Sequence, residues 1–117
     1  MKLKIFYDQR WLQAKWLPSF LHAEAVVTYP FVLFFQKKGR VQKTTLRHEI
    51  VHIRQIRSVG FLKFTALYYF ELLRGLLKYR SFERAYWDNP YEKEAYQKQG
   101  ALKLTEEEKK EIGREDI

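Results

Sequence analysis

Thr45-Leu46-Arg47-His48-Glu49-Ile50-Val51-His52-Ile53-Arg54-Gln55 is the stretch that decides how this chain folds. His48 and His52 are four residues apart. On a helix of 3.6 residues per turn they lie about 40° apart around the axis and one turn along it, so both imidazoles face one point. Glu49 is rotated about 100° from His48, to the side of that point. Two imidazoles can hold a metal ion, and the carboxylate beside them can take a proton from water without using a coordination position. Ile50, Val51 and Ile53 lie between and after the histidines and give the helix apolar surface to bury. The plain alternative is two helical histidines making ordinary hydrogen bonds. The 117-residue chain has three histidines and no cysteine. That excludes a disulfide scaffold and a cysteine-ligated zinc site, so any zinc is held by histidine and carboxylate.

A catalytic zinc takes three protein ligands and keeps one position open. An extended pattern with glycine and a third histidine would need them at positions 55 and 58, which are Gln55 and Ser58. A later carboxylate is the other standard solution, and Glu71, Glu83, Glu92 and Glu94 are the candidates. Glu71 shares a charged stripe with Lys63, Arg74 and Lys78. Glu92 and Glu94 differ by about 200° on one helix, so at most one can face the metal. Tyr91, Glu92, Ala95 and Tyr96 form the packing side, and a carboxylate there needs a partner. His48, His52 and Glu92 are therefore the expected zinc ligands, with Glu49 as the catalytic base. Glu94 and Glu83 remain alternatives, and Glu92 could instead cap its own helix, three residues after Asn89. Tyr86 and Tyr96 could donate to an oxyanion. His22 is left out of the site.

The rest of the chain supplies a frame. Lys2 to Tyr7 alternates like a strand, and Trp11 to Leu17 could make helical turns stopped by Pro18. Ala25 to Phe35 is rich in β-formers, and Pro30 inside it predicts a bend, a hairpin or a sheet edge. Gln36 to Arg40 is a polar turn. Thr44 or Thr45 is placed to cap a helix running to about Ser58, broken by Gly60. Phe61 to about Arg80 forms a second helix whose charges occupy one narrow arc. Its wide apolar surface predicts a core helix covered on several sides; the sharper alternative is a helix lying on a membrane or docking a partner. Asn89 and Pro90 open a helix to about Gln99. Thr105 to Glu108 is a capping box for a last short helix ending at Gly113.

These pieces resemble the gluzincin type of zincin metallopeptidases. More narrowly, they look like very small HExxH proteins of Bacteroidetes-type bacteria. The matching segments are Pro30-Phe31-Val32-Leu33, Lys37-Lys38, the motif from Thr45 to Gln55, and Asn89-Pro90-Tyr91-Glu92-Lys93-Glu94-Ala95, over roughly residues 28–96. Related gluzincins carry a Glu-x-x-Ala-Asp segment whose first Glu binds zinc, which corresponds to Glu92. Their Asp position is Tyr96 here, which removes a carboxylate that could support a metal-bound histidine. Arg54 stands where zincins usually keep an apolar residue. The resemblance also implies substrate binding by strand addition at about Phe31 to Gln36.

The expected fold is one α+β, zincin-like domain over residues 1–117, in which a small N-terminal sheet packs on the HExxH helix, the helix from Phe61 and the ligand helix. Residues 101–117 form a short acidic C-terminal helix or tail, with four basic and six acidic side chains. The leading functional expectation is a zinc-dependent metallopeptidase acting on a peptide or protein substrate. The rival is a non-catalytic zinc module whose basic, aromatic surface meets a membrane or a protein. The net charge of +8 would suit nucleic acid, but no basic run exceeds two residues and no nucleic-acid-binding motif is present, so that partner is not expected. The N-terminal residues lack a secretory apolar region, and the expected compartment is the cytoplasm, with peripheral membrane attachment through residues 61–80 as its variant.

Overall fold

The computed structural model describes residues 3–9, 25–114 and 116–117. The expected helical turns at Trp11 to Leu17, their stop at Pro18, and His22 lie outside the described residues. Within them the chain is α+β. Strands β1 (Lys4–Phe6), β2 (Ala25–Thr28) and β3 (Phe31–Phe34) are followed by helices α1 (Lys43–Val59), α2 (Phe61–Tyr79), α3 (Phe82–Asp88), α4 (Pro90–Lys98) and α5 (Glu106–Ile112).

β2 and β3 form an antiparallel hairpin with Thr28 opposite Phe31. Pro30 sits in the turn, where its missing N–H takes no ladder bond from the sheet. β1 adds parallel to the other side of β3, so β3 is central in the order β1-β3-β2. Gln36 and Phe34 also accept backbone bonds from Asp8 and Gln9. This corrects the expectation of strand addition at Phe31 to Gln36. Both edges of β3 are already paired, so no substrate strand can add there.

Side chains alternate across a strand, and β3 sends Val32 and Phe34 inward. They meet Leu46, Ile50 and Ile53 of α1, with Leu3, Val41 and Ile112 completing the core. α1 therefore spends one face on the sheet. The opposite face, about 180° away, carries His48, His52 and Gln55, and packs against α2 and α4. α1 thus lies against the sheet on one face and against α2 and α4 on the other.

Thr44 and Thr45 do not cap α1, which begins one residue earlier with Gln42 as an N-cap making no side-chain bond. Val41 and Leu46, both buried in one cluster, hold positions N′ and N4 of a hydrophobic staple, so packing fixes the helix start. Gly60 takes φ 91°, a conformation favouring glycine, and turns the chain from α1 into α2 without a loop. α3, not foreseen from the sequence, is a seven-residue helix capped by Ser81. It packs so closely on α2 that a Cβ at Gly75 would lie 2.9 Å from the Ala85 Cα. α5 is no tail. Its capping box is complete, Ile112 is buried, and Glu108 takes two bonds from Arg54 at 2.7 and 3.2 Å. Arg54 thus points away from the histidines and ties α5 to α1, which accounts for a charged residue at that position.

Candidate metal centre

α1 and α4 cross so that the carboxylate of Glu92 meets both imidazoles. Glu92 Oε1 lies 3.0 Å from His48 Nε2 and 2.8 Å from His52 Nε2. The three side chains form a group able to hold a metal ion, and all are buried, at 7%, 7% and 4% exposure. Glu92 faces inward because α4 starts where the sequence predicts. Asn89 Oδ1 accepts from the Tyr91 N–H, and Asn89 Nδ2 donates to the Tyr68 carbonyl on α2. One buried asparagine therefore caps α4 and fixes it to α2.

Of the four candidate carboxylates, Glu92 is the one that meets the two histidines. Glu92 does not turn back to cap its own helix. Its second oxygen, Oε2, accepts from the Tyr68 hydroxyl at 2.6 Å. Glu94 is turned to Gln55 and Lys98, Glu83 is exposed, and Glu71 pairs with Arg74. Glu49 is half-buried beside the histidines, close enough that its charge raises the pKa values of His52 and Tyr68.

Two glutamines set the histidine protons. Gln55 Nε2 donates to the Tyr91 carbonyl at 3.0 Å and to Glu94 Oε1 at 2.9 Å. With its amide nitrogen so engaged, its oxygen faces His52 Nδ1 at 2.8 Å, and that ring nitrogen must be the donor. The Gln99 side-chain amide lies 3.0 Å from His48 Nδ1. A neutral imidazole carries one donor and one acceptor nitrogen, so a neutral His52 donating at Nδ1 can offer its Nε2 lone pair to a cation, whereas the protonated ring donates from Nε2 to Glu92 Oε1. Two ring nitrogens and a carboxylate oxygen converge, with a proton or a cation between them. This donor set fits zinc, which takes neutral imidazole and carboxylate ligands, with outer partners fixing each ring's tautomer. Gln99 stands at the outer side of His48, where related gluzincins would have a carboxylate at the Tyr96 position. Tyr96 instead meets the His48 ring edge to face, with centroids 4.4 Å apart, and shares a hydrogen bond with Tyr86.

The charges agree with this arrangement. Burial pushes Glu92 up, but bonds from His48 and His52, the charge of His52 and the Tyr68 hydroxyl hold it well below the usual carboxylate range. Burial lowers His52, yet the bond to Glu92 and its charge outweigh this and raise the imidazole to about 9. Burial and the Glu92 charge keep the Tyr68 and Tyr86 phenols protonated.

Gln55, Gln99 and Tyr68 are absent from the sequence-based site. Two carried a signal. Gln55 is three residues after His52, and Gln99 is seven after Glu92, so each shares a helix face with a ligand. Tyr68 reaches the site through the α2–α4 contact and had no local signal. A cavity of about 380 Å³ opens between α1 and α4, lined by Arg54, Gln55, Ser58, Tyr91, Glu94 and Lys98 among others. It lies on the Gln55 side of His52, away from the Nε2 atoms. Compared with protein-family models, with curated proteins and with solved structures, the chain gives no match.

Proposed function

We propose that this protein is a zinc-dependent hydrolase of peptide bonds. The observation that carries the proposal is the meeting of His48, His52 and Glu92 around one point, with Glu49 beside it and each Nδ1 atom held by a glutamine amide. His48 Nε2, His52 Nε2 and Glu92 Oε1 would hold the ion. Bound zinc supplies Lewis acidity, lowering the pKa of water and polarising a carbonyl. Glu49 accepts the proton that water loses as the new C–O bond forms, and returns it to the amine as the C–N bond breaks. Tyr68 keeps Oε2 of Glu92 occupied, which leaves Oε1 to the metal. The Tyr86–Tyr96 pair adjoins His48, and its hydroxyls can donate to the carbonyl oxygen as charge develops there.

A second reading, a zinc module without catalysis, has one observation in its favour: each of the three ligands is less than a tenth exposed. Glu49→Gln separates the two. The hydrolase keeps its zinc and loses cleavage of a peptide library in this variant. Wild-type protein that binds zinc and cleaves no peptide supports the module.

A further inference from the structure

α2 has two characters. One face carries Phe64, Leu72 and Gly75, which are buried, and Tyr68, which reaches the metal centre. The other face is apolar and, among the described residues, uncovered. Leu62 is 82% exposed, Leu77 74%, Tyr69 62%, and Phe70 and Leu73 are also well exposed. At about 100° per residue these five, with Ala66, occupy one arc about 100° wide. This overturns the expectation of a core helix covered on several sides. Among the described residues the helix is covered along one face, by α1, α3 and α4, and presents the other.

The charges are placed beside this arc. Lys63, Arg74 and Lys78 fill the next sector of about 60°, and all three are exposed. Glu71 at its margin is paired with Arg74 at 3.8 Å. The apolar arc is thus bordered on one side by cations, on a protein of net charge +8. Among the described residues no helix is long and apolar enough to cross a membrane, so α2 can lie on a bilayer but not span it.

We propose that α2 seats this protein on an anionic lipid surface. Leu62, Tyr69, Phe70, Leu73 and Leu77 enter the boundary between headgroups and acyl chains, and Lys63, Arg74 and Lys78 meet lipid phosphate. A helix with a strongly apolar face and a cationic border binds in the plane of the interface in this way. A second copy of the chain is a poorer occupant. It would bring the same cationic border to a protein that is itself +8, and Glu71, the one acidic group on the border, is already paired. Tyr68 lies about 150° around α2 from the middle of the apolar arc. Docking therefore leaves the metal-facing side of α2 turned toward the protein, and the proposal does not depend on catalysis.

The test is co-sedimentation of the full chain with vesicles of phosphatidylcholine containing about one-third phosphatidylglycerol, against phosphatidylcholine alone. Binding to the anionic vesicles is expected to exceed binding to the neutral ones at least about tenfold at low salt, and to fall severalfold as salt shortens the Debye length. Leu73→Ser with Leu77→Ser is expected to abolish it. Lys63→Gln with Lys78→Gln is expected to reduce it toward the neutral-vesicle level. All four positions are exposed, so circular dichroism of both variants should match wild type. Equal binding to neutral vesicles, or binding untouched by the serine pair, would overturn the proposal. So would a concentration-dependent dimer in sedimentation velocity that the serine pair dissolves, with no vesicle binding.

Discussion

Replacing Gln55 by leucine tests whether the histidine protons are set in advance. Gln55 is buried and makes three hydrogen bonds, to His52, the Tyr91 carbonyl and Glu94. Leucine is of similar size and favours helix, so α1 should persist. Glu94 is half-exposed and keeps its ion pair with Lys98, so it rehydrates at little cost. His52 is the group that suffers. Without an acceptor at Nδ1 its proton is no longer kept there, and the ring can turn Nε2 away from the metal point. Losing a partner of this kind costs about 10- to 100-fold in metal affinity. At about 1.4 kcal/mol per factor of ten, that is about 1.4 to 2.7 kcal/mol. The assay is competition for zinc against a chromophoric chelator near neutral pH, with circular dichroism to confirm the fold. A folded Gln55→Leu protein whose zinc affinity stays within about twofold of wild type would refute the reasoning, because the Glu94–Gln55–His52 chain would then position nothing.

Other outcomes follow from the same geometry. Tyr68→Phe removes the 2.6 Å bond to Glu92 Oε2 and should weaken zinc binding about tenfold; an unchanged affinity in the same competition assay would show that Glu92 needs no orienting partner. Gly75→Ala forces a methyl to within 2.9 Å of the Ala85 Cα, and the midpoint of urea unfolding should fall by the equivalent of about 1–3 kcal/mol. An unchanged midpoint would contradict the close approach of α2 and α3. In metal-free protein His52 titrates at about 9, above its ordinary 6.5. A folded value above the unfolded one stabilises the fold fully below about 6.5, and that contribution is lost as pH rises through about 9. Unfolding free energy of the metal-free protein should therefore decline across that window, and a flat profile would count against protonated His52 in the metal-free fold.

The sequence carried the site further than it carried the packing. His48 and His52 are legible because four residues on a helix is a local relation. Glu92 followed from a second local relation, the packing side of the helix opened by Asn89 and Pro90. Gln55 and Gln99 were legible in the same sense, each on a ligand's face, but a glutamine has no motif that marks it as an outer partner. Tyr68 was not legible, because its contact with Glu92 depends on how α2 crosses α4. The same limit applies to the sheet. Pro30 correctly suggested a hairpin, yet nothing local says that β1 covers the far side of β3, and that pairing removes the expected site of strand addition. The apolar width of α2 suggested burial. Hydropathy reports what could be covered, and the chain described here covers only one face of it. Arg54 looked like a departure at the metal; helix rotation takes it to Glu108, where it fastens α5 into the core.

Zinc content of the purified protein, beside that of Glu92→Gln and Glu94→Gln, tests the central claim most directly. The account predicts about one zinc per chain in wild type, as a site with two histidines and one carboxylate requires. It predicts near-complete loss in Glu92→Gln and retention in Glu94→Gln, whose carboxylate touches Gln55 and not the metal point. A wild-type protein that binds no zinc, or zinc that survives Glu92→Gln and is lost in Glu94→Gln, would contradict it.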